Sequence, residues 1–174
     1  MFSRLKVASA IAAALLSSGA CAQEVKLTDP QIAHIAYTAG KLDITAAKQA
    51  LERSENKAVK ALAADMVRDH EAVNKQALAL VKKLKVTPQN NETSRVLSQN
   101  AAVKTKELSK LKGVAFDRAY VDNEVTYHKL VDDTLENQLI PSASNEELKS
   151  LLKAALKTIQ GHEQHAEWVA AELK

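Results

Sequence analysis

Between Val59 and Leu84 an apolar residue returns every three or four positions, as Val59, Ala63, Met66, Val73, Ala77, Leu80 and Leu84. The slot between Met66 and Val73 is filled instead by His70. Residues so spaced share one face of an α-helix, so whatever packs on that face must also accommodate an imidazole. The pattern predicts a long helix, about Lys57 to Val86, with His70 near its midpoint. Three other predicted helices carry an ionisable residue near their midpoints, namely Asp43, His128 and His162. An antiparallel bundle would gather all four into one layer, and that layer is where chemistry is expected.

The amino terminus stands apart. Met1 to Ala22 has a basic start at Arg4 and Lys6, an apolar run from Val7 to Leu16 and a small-residue exit, Ser17-Ser18-Gly19-Ala20-Cys21-Ala22. That is the build of a secretory signal peptide, and the apolar run is too short to span a membrane. Cleavage after Ala22 leaves residues 23–174 as one periplasmic domain with no transmembrane segment. Lipid attachment at Cys21 is the second reading, weakened by Ser18 standing where lipoprotein signals carry a leucine-like residue. The remaining chain has no cysteine, so packing alone must hold it. Its basic and acidic residues nearly balance and no basic stripe stands out, which argues against nucleic acid as a partner.

The first helix is expected from Thr28 or Asp29 to about Arg53, with Pro30 in its first turn and Gln31 completing a capping box. Its inward stripe reads Ile32, Ile35, Ala36, Ala39, Leu42, Asp43, Ala46 and Ala50, whereas His34 falls on an outer face. Ser54-Glu55-Asn56 is a short link, so the first two helices are antiparallel neighbours. After Thr87-Pro88 a weaker segment, about Glu92 to Leu111, reads as a crossover or covering helix that Gly113 stops. The fourth helix, about Val114 to Leu139, carries Phe116, Tyr120, Val121, Glu124, Tyr127, His128 and Val131 on a broad face. Ser144 and Glu147 match a capping box for the last helix, which places His162 in a heptad slot between Ile159 and Ala166. Trp168 and Leu151 flank that face and suit contact with the third segment or with a second copy of the chain. An envelope protein partner or a homo-oligomer is the association expected.

The segments Ala63-Ala64-Asp65-Met66-Val67-Arg68-Asp69-His70 and Gly113-Val114-Ala115-Phe116-Asp117-Arg118-Ala119-Tyr120, with His128 and then His162 and Ala166, resemble the signatures of an exported bacterial family. The family is designated domain of unknown function 4142 and often labelled an outer membrane protein. The resemblance covers nearly all of residues 23–174. It implies a ferritin-like antiparallel four-helix bundle with one additional crossover helix. Asp69, His70, Asp117, Tyr120, His128 and His162 are the matching positions, Asp43 stands where the family more often resembles glutamate, and no activity is implied.

Ferritin-like di-iron sites use Glu-x-x-His pairs. Here Val67, Val125 and Ile159 stand three residues before the histidines, which disfavours an iron store or di-iron oxidase. His162-Glu163-Gln164-His165 is no zinc-protease motif either, since its histidines are three apart rather than four. The candidate metal ligands are Asp43, His70, Glu124, His128 and His162, with Asp69 and His165 as supporting or alternative ligands. Three inward imidazoles with carboxylates suit Zn, Cu(II), Ni or Fe. The same groups also suit a metal-free hydrogen-bonded network in an envelope scaffold protein. A redox enzyme with an open metal position ranks behind both.

Overall fold

The computed structural model describes residues 26–174. The signal peptide expected over residues 1–22, Cys21 included, lies outside the described residues. Five main helices follow one another: α1 (Asp29–Arg53), α2 (Lys57–Lys83), α3 (Glu92–Leu108), α4 (Gly113–Thr134) and α5 (Glu146–Glu172). A π-helical turn, Leu135–Leu139, and a short turn, Ile140–Ser142, prolong α4. Among the described residues there is no strand, and no helix is long and apolar enough to cross a membrane.

Local chemistry sets the ends. Gln31 Oε1 accepts the Thr28 backbone N–H at 3.0 Å, the reciprocal half of a capping box. The Asn56 side chain accepts from the N–H groups of Ala58 and Val59, and Asn91 from that of Ser94. The last helix is capped by Asn145, which accepts from Glu147 and Leu148, and not by Ser144 as the sequence suggested. Ser144 is used differently, since its N–H and that of Asn145 donate to Asp29 at 2.8 and 3.0 Å. α2 ends at Lys83, short of Val86, because Lys85 turns left-handed with φ 54°. Val86 then donates to Val81 O and Lys85 to Lys82 O, the paired bonds of a Schellman ending. α3 likewise stops at Leu108, and Gly113, expected to stop it, instead opens α4 with φ 55°.

These tethers fix the directions. Asp29 ties the start of α1 to the start of α5, and Arg118 donates to Leu173 O, tying the start of α4 to the end of α5. Asn91 reaches Gln31 O at the start of α1, and Arg53 at its end donates to Ser109 O and Leu111 O beyond α3. So α1, α3 and α5 run one way, and α2 and α4 the other. Around the ring α1–α2–α5–α4 every neighbour is antiparallel, and α3 crosses back along α1 with a lighter contact to α4. The π turn falls just before Pro141, whose missing N–H and bulky ring forbid the regular bond to the residue four back.

The core comes in two parts. At the end where α1 meets α2, Val59, Leu62, Met66, Phe116, Tyr120 and Val169 are buried together. At the other end Ile32, Ile35, Leu139, Leu148, Leu152 and Ile159 form a second cluster. Between the two lie buried polar side chains.

Candidate metal centre

Each polar side chain reaches this interval by helical spacing. Tyr120, Glu124, His128 and Asp132 stand four apart on α4, one buried face of one helix. Asp43 comes from α1, His70 from α2 and His162 from α5, and all are 5% exposed or less. The rings of His70, His128 and His162 form a triangle with centroids 5.2 to 5.9 Å apart. One nitrogen of each lies within 4.8 Å of the others, and ligand atoms of Asp43, Glu124 and His128 lie equally close together. His128 belongs to both groups.

Outward partners fix the rings. His128 Nδ1–H donates to the Glu124 carbonyl at 2.9 Å, and His162 Nε2–H donates to Asp69 Oδ2 at 3.0 Å. In the neutral rings the proton therefore sits on the outer nitrogen, leaving His128 Nε2 and His162 Nδ1 as bare lone pairs. Both are buried without a hydrogen-bond partner. His70 Nε2 lies 2.7 Å from Asp43 Oδ2 but off the line of a ring N–H bond, so that contact leaves both atoms unsatisfied in the hydrogen-bonding sense. Glu124 Oε2 and the Tyr120 hydroxyl are also buried and unpartnered. Native interiors rarely leave so many polar atoms unmet in one place.

Burial favours the uncharged form of nearly every group here. It pushes His128 and His162 below the ordinary imidazole value, although Asp43 and Asp69 respectively pull the other way, so both rings are neutral at pH 7. Burial and the adjacent Asp43 raise Glu124 well above a normal carboxyl, so it keeps its proton. Asp43 is the exception. Burial would raise it, but the His70 ring beside it holds it well below its ordinary value and it stays ionised. The Tyr120 and Tyr127 phenols are raised by burial and stay protonated, and the Tyr127 hydroxyl donates to Ala39 O at 2.8 Å. The layer thus offers one carboxylate, one carboxylic acid, the neutral imidazoles of His128 and His162 and the ring of His70, a donor set that fits a divalent transition metal.

All five candidate ligands named from sequence share this layer. Asp69 stands behind His162 as its hydrogen-bond acceptor, held at about 2 first by its bond from Arg68 and further by that from His162. His165 turns away from the layer, 3.4 Å from Asp65 and beside Trp168, because three residues on from His162 is not the same heptad slot. His34 is half-buried, with Nδ1 3.4 Å from the Thr38 hydroxyl, and not exposed as its outer-face position suggested.

Two buried polar residues were missed. Asn74, one turn after His70, lies against Gly40, where a Cβ would sit 2.7 Å from Asn74 Oδ1. Its signal was the four-residue spacing from His70 opposite a glycine three before Asp43. Asp132, one turn after His128, is 8% exposed, and burial and then Glu163 raise it to about 7. An unfolded aspartate loses its proton near 4, so this site costs the fold increasing stability as pH rises from about 4 to 7. Asp132→Asn is therefore expected to raise the melting temperature by roughly 2 to 4 °C at pH 8, allowing for solvent screening, and not at pH 4. Calorimetric melts at both pH values check it, and an equal change at both would mean that burial and Glu163 do not hold the Asp132 proton.

The model of the family described as "Domain of unknown function (DUF4142)" matches residues 14–169. No curated protein matches the chain. Among solved structures, "CopM in the Cu(II)-bound form" is similar over 86% of this chain and 99% of that one, with a TM-score of 0.65 and 14% identity. At that identity the likeness concerns the fold.

Proposed function

The chain belongs to the DUF4142 family, and from that footing we propose that it binds one divalent transition-metal ion in the mid-bundle layer and serves in metal or stress handling. His70, His128 and His162 would supply nitrogen ligands, and Asp43 or Glu124 the carboxylate. The observation that carries this reading is the set of buried, unpartnered ring nitrogens from three helices, two of them on rings whose outer nitrogens are already engaged. Outer partners of that kind orient metal-binding histidines and fix their tautomer. Zn, Cu, Ni and Fe all suit the donors, and Cu(II) is the ion to test first, because a protein of similar fold is known in a Cu(II)-bound form. The basic start, apolar run and small-residue exit of residues 1–22 support export of residues 23–174 as one domain.

The test is metal content with thermal stability. Chelator-stripped protein soaked in Cu(II) or Zn(II) and desalted is expected to retain about one equivalent. At a thousandfold excess over Kd the ion adds about 4 kcal/mol, or roughly 10 °C in melting temperature. Binding should release the Glu124 proton if that residue ligates, and weaken towards about pH 5 as imidazoles are protonated. Retention below ~0.1 equivalent with no thermal shift would leave the layer a metal-free network, the scaffold reading.

A further inference from the structure

The half of the bundle between the histidine layer and the start of α1 is only partly filled by the side chains of its apolar cluster. A cavity of about 370 Å³ lies there, with His70, Asn74 and His128 on its wall near the layer and Leu139, Leu148 and Leu152 towards the other end. We propose that it binds an unbranched aliphatic molecule of roughly eight to twelve carbons with one small hydrogen-bonding head, within the ceiling of about fifteen non-hydrogen atoms set by the ~150 Å³ that holds a six-carbon benzene ring. The tail lies among the leucines and the head beside Asn74.

The sequence makes the space. α1 turns Ala33, Ala36 and Ala39 to the cavity and α2 turns Ala77, small residues where a bundle core would ordinarily carry leucine. On α2 the heptad continues through Val73, Ala77 and Leu80, yet these are only half-buried, whereas Val59, Ala63 and Met66 earlier on that face are fully buried. The apolar pattern thus runs on for two turns beyond the point where protein fills it. The π turn of Leu135–Leu139 borders the same space, and such turns recur at ligand sites.

The lining also selects the occupant. Tyr127 is the aromatic residue on the wall, and its hydroxyl is already bonded to Ala39 O. The rest of the lining is chiefly aliphatic, which suits a flexible chain better than a flat ring. At the polar end the Asn74 carboxamide, held against Gly40, both donates and accepts, so it can meet a hydroxyl or a carboxyl head. α3 covers one side with Thr93, Val96 and Asn100. Large apolar pockets with a few polar groups at one end are the usual form of small-molecule sites.

Titration calorimetry of the purified chain with decanoate, 1-decanol and acetate, in excess chelator, tests the site independently of any metal. Saturable one-to-one binding of decanoate or decanol is expected, the better binder identifying the head, with none for acetate. Ala77→Phe, which plugs the cavity, should weaken binding at least tenfold while leaving the helical dichroism unchanged. Ala36→Leu is the second plug should the first misfold. No saturable binding of either ten-carbon probe, or equal binding by the plugged variants, overturns the proposal. So does dissociation of a dimer on adding the probe, which would assign the space to a second copy of the chain. Decanoate binding without metal retention would sink the metal reading and leave this one standing.

Discussion

Asp43→Ala is expected to lower the stability of the metal-free protein by about 1 to 3 kcal/mol, because it removes a buried carboxylate and leaves the polar atoms of His70 and Glu124 facing an empty space. The Asp43 side chain is 1% exposed and lies 2.7 Å from His70, with protonated Glu124 facing it. Asp43→Asn keeps the shape and should cost less. The sign with pH follows from the depressed folded value. An unfolded aspartate titrates near 4, so the stabilisation is present above that pH and is lost as pH falls through the lower folded value. Urea unfolding of wild type and variant at pH 7 and pH 3 checks both magnitude and sign. A difference below about 1 kcal/mol at pH 7 would mean that water, and not His70, satisfies this carboxylate.

His128→Ala should weaken metal binding by more than a hundredfold, the largest effect of any single ligand, since His128 is the member common to both ligand groups. Removing an outer partner of a metal-binding histidine typically costs 10- to 100-fold, which sets the floor for removing the histidine itself. Asp69→Ala, which frees His162 from its acceptor, should fall in that 10- to 100-fold range. His165→Ala should change affinity by less than about twofold, because its ring faces Asp65. Competition against a chelator, with dichroism to confirm folding, separates the three. A folded His128→Ala protein that binds as well as wild type would remove the centre.

The layer was legible because its residues obey a repeat. His70 and His162 occupy slots that apolar residues fill elsewhere on the same faces, and a bundle of roughly equal helices brings midpoints to one height. Asp132 and Asn74 escaped because a polar residue four positions from a histidine reads as a helix turning towards water. Only the approach of α5 and of Gly40 on α1 shows that these faces are covered. Periodicity likewise says which side of α2 turns inward but not whether anything meets it, so the half-filled stretch after His70 could not be read from one strand of sequence. The caps failed by one residue at Ser144 for a similar reason, since Asp29, more than a hundred residues away, takes that backbone N–H.

The ligand layer draws on α1, α2, α4 and α5, with its last member, His162, inside the final helix. A growing chain therefore carries no assembled cage until almost all of it has been made and the last helix has closed on the other three. Any ion held there is therefore taken up only once that last helix has packed, and no shorter stretch of the chain can hold it in the same way.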